Sequence, residues 1–191
     1  MEQESSNKKK QVDIHEENDS LETRMTLIDE KPHGESFIFD KENKIKIKTN
    51  YKNGVRNGKM QIIENEKIKL EETYENDKRN GVQKIFNQGG KISVETPYKN
   101  DKIHGIRKTY DELGNIIEES EYSEGFKSGE SKQYFSDGSL YSTSTYKNGI
   151  IDGMYLTHHM KGEESSVAHY VDGVLQEPVK RFTEKGKLIK K

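Results

Sequence analysis

The side chains best equipped for chemistry are six histidines and the acidic pairs Glu71-Glu72, Glu118-Glu119 and Glu163-Glu164. His158, His159 and His169 cluster near the end of the chain. A zinc centre needs three or four ligands that converge on one point. His158 and His159 are neighbours, and neighbours on a strand project from opposite faces. One of them could meet Glu163 or Glu164 across a turn, but a ring filling a packing slot is the better expectation for His158. His33 and His104 each precede a glycine, where turn-forming polar residues belong. Glu71-Glu72, Glu118-Glu119 and Glu163-Glu164 could act as general acid and base only in a dry cleft that shifts their pKa values. Solvated faces opposite lysines suit them better. Asp13 and Asp19 lack calcium-loop spacing, Gly89-Gly90 fits a hairpin turn and not a phosphate loop, and no Gly-x-Ser-x-Gly elbow occurs. There is no cysteine for a disulfide, a thiol nucleophile or a metal site. The chain therefore reads as non-enzymatic, with no catalytic residue, metal or cofactor expected.

Composition narrows the remaining classes. Of 191 residues, 29% are hydrophobic and 35% charged, so a compact sphere would lack core. A thin repetitive sheet would not. Net charge is −2, from 32 basic and 34 acidic residues, and the one dense basic run is Lys8 to Lys10. Nucleic-acid binders carry a basic excess or stripe, so no nucleic-acid partner is expected. No apolar run is long enough for a transmembrane helix, and the N-terminus lacks the apolar stretch of a signal peptide. A cytoplasmic location follows. A leader ahead of Met1 would reverse it, placing the chain in the cell envelope with residues 2–24 as a tether behind a lipid anchor. The abundance of Lys, Ile, Asn and Glu suits an AT-rich bacterial genome.

Spacing supplies the architecture. Tyr51, Tyr74, Tyr98, Tyr122, Tyr146 and Tyr170 recur at intervals of 23, 24, 24, 24 and 24 residues. Each opens a turn, as in Tyr51-Lys-Asn-Gly54 and Tyr146-Lys-Asn-Gly149, and a glycine follows at Gly58, Gly81, Gly105, Gly129 and Gly153. A fixed period of this size marks a repeat protein. A second aromatic follows within each unit (Phe39, Phe86, Tyr110, Tyr134, Phe182), then a turn glycine, then an aliphatic. The unit from Tyr51 is one residue short and lacks the second turn glycine. The unit from Tyr146 has His158 in the aromatic slot and Glu164 in the aliphatic one.

These runs are too short and too glycine-broken for helices. Asn53-Gly54, Asn148-Gly149, Asp172-Gly173 and Asp137-Gly138 favour tight hairpins in which both central residues take positive φ. Turns alternating with strands of about six residues make neighbouring strands antiparallel. The expected fold is all-β: an elongated single-layer antiparallel meander of about seven β-hairpin repeats over residues 26–191, in roughly fourteen strands. The tyrosines would stack in ladders along one face, and the repeat glycine would let an aromatic of the adjacent strand lie on the backbone. Residues 1–25 read as a disordered polar tail, or as a weak polar helix, near Ile14 to Met25, that covers the first sheet edge.

The motif Tyr-x-Asn-Gly-x-x-x-Gly, then an aromatic, then Gly-Lys-Ile, resembles the variant MORN repeat of bacterial proteins. It is similar in particular to the repeat of the YwqK-type antitoxin family, over about residues 27–191. The resemblance implies a protein-binding module, an antitoxin or immunity protein whose partner is a secreted toxin. Other proteins with such repeats are exported or surface-bound, so an envelope protein with a scaffolding or adhesion role is the alternative. No catalytic motif accompanies the resemblance.

The period assigns most tyrosines and glycines to scaffold. What breaks it is the candidate contact set: Phe126, Phe135, Tyr141 and Tyr155, with Ile150 and Ile151 unusually apolar for a turn. They make residues 122–160 the least polar region and the expected surface for another protein.

Overall fold

In the computed structural model, residues 10–190 are described, and they form strands and turns with no helix among them. The chain divides into two compact units, one ending at Gly81 and one beginning at Val82. The first holds β1 (Gln11–Glu17), β2 (Leu21–Ile28), β3 (Lys31–Pro32), β4 (Gly34–Asp40), β5 (Ile45–Lys52), β6 (Val55–Glu64), β7 (Lys67–Glu75) and β8 (Lys78–Arg79). The second takes up within β9 (Gly81–Phe86). It continues through β10 (Ile92–Lys99), β11 (Lys102–Ile103), β12 (Gly105–Tyr110), β13 (Ile116–Ser123) and β14 (Phe126–Tyr134). After these come β15 (Leu140–Lys147), β16 (Ile150–His158), β17 (Glu164–Val171), β18 (Val174–Leu175) and β19 (Lys180–Arg181). Within each unit, successive strands pair antiparallel, as the turn spacing requires.

The N-terminal segment corrects an expectation. Residues 11–28 form neither a disordered tail nor a helix but the hairpin β1–β2, closed by Asn18, whose side chain accepts from the Ser20 and Leu21 amides. β2 carries Leu27 where later units carry tyrosine. The hairpin thus extends the array upstream in phase, held by ladder hydrogen bonds with few apolar side chains. Residues 1–9 of the expected tail lie outside the described residues.

Strand segments outnumber the expected fourteen because the second strand of each unit is interrupted. In β6, β14 and β16 one residue (Asn50, Glu121 or Thr145) faces three, a bulge centred on the repeat glycine. Elsewhere the same interruption splits the strand, as between β3 and β4 and between β11 and β12. This also corrects the role given to the glycine. Gly153 has φ 122°, and a Cβ there would stand 3.2 Å from the Cβ of Thr145, the residue before its own unit's tyrosine. The bulge geometry, and not an aromatic laid on the backbone, excludes a side chain.

The two turn classes differ more than the sequence suggests. Asn53-Gly54, Asn148-Gly149 and Asp172-Gly173 have positive φ at both residues, as expected. Asp137 does not, and only Gly138 takes positive φ, at 84°. That turn is a wider loop in which the Phe135 amide donates to the Ser139 carbonyl at 2.8 Å. In the short unit, Asn65-Glu66 makes a two-residue turn at φ 49° and 64°, with Glu64 opposite Lys67. A tight turn replacing the wider loop accounts for the 23-residue spacing.

Candidate partner-binding surface

Strand alternation and register sort the side chains of the second unit into rows that run across its strands. On one face, the middle row reads Arg107, Ser120, Ser131, Ser144, Tyr155, Ala168. Ser120 is 1% exposed and Ala168 4%. Small hydroxyl side chains are thus the most buried groups, and they bond to one another: the Ser120 and Ser131 hydroxyls lie 2.8 Å apart. The Ser120 hydroxyl also approaches the Glu118 carboxylate at 2.8 Å, while the Lys127 ammonium donates to Glu118 at 3.3 Å and to Ser131 at 3.1 Å. Burial pushes the Glu118 carboxyl up, but the Ser120 hydrogen bond and the Lys127 charge outweigh it and hold the group below its usual range. Lys127 beside Ser131 resembles a base beside a nucleophile. Its ammonium is ion-paired with the Glu118 carboxylate at 3.3 Å.

A second row on this face holds the tyrosines, and its composition differs from the expected stack. Each tyrosine pairs with a residue from the next strand: Ile103 opposite Tyr98, Lys127 opposite Tyr122, Ile151 opposite Tyr146, Leu175 opposite Tyr170. The Lys127 ammonium lies 4.6 Å from the Tyr146 ring centre. In the first unit Arg56, opposite Tyr51, places its guanidinium 4.1 Å from the Tyr74 ring. Rings two strands apart, about 9.6 Å, are too distant to touch, so a cation or an aliphatic fills each gap. Tyr74 is buried, and its hydroxyl donates to Glu72 at 2.5 Å. Burial, then that carboxylate, pushes the phenol up to about 12.

The opposite face begins ionic. Its central row reads Glu95, Lys108, Glu119, Lys132 across β10 to β14, then Thr143, Leu156, Val167 across β15 to β17. Lys108 meets Glu119 at 3.0 Å, and the hydroxyls of Tyr110 and Tyr134 donate to Glu95 and Glu119 at 2.7 and 2.8 Å. Hydrogen bonds from Lys108 and Tyr134 hold the Glu119 carboxyl below its usual range. Across β15 to β17 this row carries no ion pair, and charge returns at Lys180 of β19, opposite Val167 and paired with Glu177 at 3.6 Å. Tyr141, Ile150, Met154 and Val171 stand exposed on this face around Leu156 and Val167. A contiguous exposed apolar area rimmed by charge is the usual mark of an interaction site.

Four segments, 32–53, 79–100, 103–124 and 127–148, match the MORN repeat variant. Those four segments are variant MORN repeats. A comparison with curated proteins returns no match. The matched segments run from a ladder residue such as Pro32, Arg79, Ile103 or Lys127 into the next tight turn, so the MORN unit coincides with the hairpin and its bulge.

The MORN frame also shows where the six candidate contact residues go, and it does not bring them together. Phe126 and Ile150 sit at the tight-turn edge, exposed by 57% and 51%. Phe135 and Tyr141 pair edge-to-face at 5.1 Å beside the wider loop, at the other end of β15. Tyr155 lies half-buried in the hydroxyl row. Ile151 belongs to the tyrosine row opposite Tyr146 and is no part of a turn, which corrects the reason for singling it out. Sequence reasoning passed over Met154, Leu156, Val167 and Val174. Their signal was available: counted from each tyrosine, they occupy positions that hold charged residues in several other copies.

The chemistry candidates disperse. Glu118 and Glu119 project to opposite faces with separate partners. A ring nitrogen of His159 lies 3.0 Å from the Phe182 carbonyl, and His158 occupies the strand position opposite Glu164. No group of three potential metal ligands forms among the described residues.

Proposed function

We propose that the protein is a non-enzymatic protein-binding module whose partner covers the apolar face of β15 to β17, and that it serves as an antitoxin or immunity protein for a toxin. The carrying observation is the loss of the ionic row at Thr143, Leu156 and Val167 on a backbone frame that continues unchanged. Solvation of the face does not require that loss, since the Glu95–Lys108–Glu119–Lys132 stretch keeps its charges in the same register. The resemblance of the repeat to the YwqK-type family supports the toxin reading. Its test is a photo-crosslinking residue at position 154, with position 108 as control, in the native host. Position 154 should capture a protein that arrests growth when expressed alone and is harmless when co-expressed with this chain. Capture at 108 as strongly as at 154, or a captured protein without toxicity, overturns the respective part.

A further inference from the structure

The two ends of the chain present different strand edges. The C-terminal end is blunt: β18 and β19 hold two residues each, Pro178 lies between them, and the Ile189 amide donates to the Arg181 carbonyl at 2.8 Å. Short strands, proline and a covering segment are the usual ways to close a sheet edge. β1 shows none of these among the described residues. It runs for seven residues without a bulge, pairs with β2 alone, and is exposed throughout except at half-buried Ile14. The Asp29 amide donates to the Lys10 carbonyl and the Asn18 amide to the Leu21 carbonyl, both at 2.9 Å. Even-numbered residues of β1 therefore turn their main-chain groups toward β2. Gln11, Asp13, His15 and Glu17 turn theirs to the open side.

A second copy of β1 laid antiparallel can bond to that side only where odd-numbered residues face each other. With Ile14 opposite its own counterpart, Asp13 faces His15 and Gln11 faces Glu17, each twice. Four such pairs exchange about eight main-chain hydrogen bonds. Sliding one copy by two residues sets Asp13 against Asp13, or, in the other direction, Asp13 against Glu17 and His15 against His15. Like charges directly opposite are destabilising, so one register stands out. The side chains are poised for it. The Asp13 carboxylate accepts from the Thr26 hydroxyl at 2.8 Å through Oδ1, and His15 turns Nε2 to Glu22 at 3.5 Å and Glu17 at 3.8 Å. Asp13 Oδ2 and His15 Nδ1 have no partner among the described residues. In the paired copies these two residues alternate in sign at four corners, and like groups meet only on diagonals of about 7–8 Å. Glu17, diagonal to Asp13 of the second copy, is already held by Lys41 at 2.7 Å, and Glu22 by Arg24 at 3.0 Å. Asp29 accepts from the Lys10 amide at 3.1 Å, and Asp19 lies in the turn beyond the paired residues. On the other face Ile14 meets Ile14, Val12 meets the Glu16 stem, and Glu16 lies diagonal to Lys10 of the second copy. Lys10 and Glu16 have no ion pair among the described residues. We propose that the chain forms a two-fold dimer through β1, centred on Ile14, in which Asp13 of each copy pairs with His15 of the other.

The test uses the full chain, whose lack of cysteine lets single cysteines report the register. Ile14 opposite Ile14 is a pair with Cα atoms about 4.5 Å apart, within disulfide reach. The two copies of position 12 stand about four residues, roughly 13 Å, apart, which is beyond it. On mild oxidation Ile14→Cys should form a disulfide-linked dimer and Val12→Cys should not. In sedimentation velocity the unsubstituted chain should dimerise. Asp13→Arg and His15→Glu should each raise the dimer dissociation constant at least about tenfold, with circular dichroism unchanged. The double variant should recover the dimer, because it exchanges the signs of the pair and keeps them opposite. The proposal is overturned by a monomeric unsubstituted chain, by equal cross-linking at positions 12 and 14, by a dimer that Asp13→Arg leaves unchanged, or by a double variant no better than the single ones.

Discussion

Strands β12 to β14 and β15 to β17 share a bulge, a register and two turn classes, yet they carry different surfaces on the face away from the hydroxyl row. In the earlier strands, Lys108, Glu119 and Lys132 alternate in sign, and tyrosine hydroxyls clamp the carboxylates. In the later ones Thr143, Leu156 and Val167 hold the same row, with Met154 and Tyr141 exposed beside them. Burial of serines and the tyrosine row supports both stretches alike, so this face is free to vary. The hydroxyl and tyrosine rows lie on one side of the sheet, and the row whose content varies, proposed above as the partner surface, lies on the other.

The sharpest way to break that division is to remove a scaffold ring. Tyr122→Ala should cost about 3 kcal/mol in urea denaturation, while Tyr141→Ala should cost under about 1 kcal/mol. Equal losses would mean that the assignment of faces is wrong. Next in size are the glycines. Gly153→Ala should cost about 2 kcal/mol, because it combines positive φ with the approach of Thr145, and Gly138→Ala about 1 kcal/mol, from its φ alone.

Acid should separate the two stretches. The Glu118 and Glu119 carboxyls are held below their usual range in the fold, so the stability they contribute is present above about pH 4.5 and lost as pH falls through their lowered folded values. Hydrogen exchange at pH 3 to 4 should release amides of β12 to β14 before those of β15 to β17. Simultaneous release would refute the electrostatic distinction. The smallest effect on folding tests function most directly. Thr143→Glu with Leu156→Lys continues the ionic row and should change stability by no more than about 0.5 kcal/mol, while abolishing capture at position 154.

The period made the strands, the hairpins and the antiparallel order legible, because tyrosine and glycine spacing is fixed by backbone geometry. Three things were not legible. The hairpin of residues 11–28 has the phase of the array without its tyrosine or its Asn-Gly turn, so composition argued for a tail. The glycine's neighbour across the bulge depends on one residue facing three, which no spacing records. The contact surface was half found: Phe126, Tyr141 and Ile150 stood out as apolar, but Ile151 differs from Ile150 only in pointing the other way, and strand parity through a bulge is set by the fold.

The tight-turn glycines donate their amides to carbonyls of the preceding unit: Gly54 to Pro32, Gly125 to Ile103, Gly149 to Lys127 and Gly173 to Ile151, all at 2.8 to 2.9 Å. These clasps involve main chain alone, so any hairpin of the right length can be fastened to any other. Within a unit, hairpins can then be gained, lost or exchanged as long as their side chains continue the tyrosine and hydroxyl rows. Under a pulling force along the array, such clasps would let go in series and not together, so the chain would pay out in steps of one hairpin.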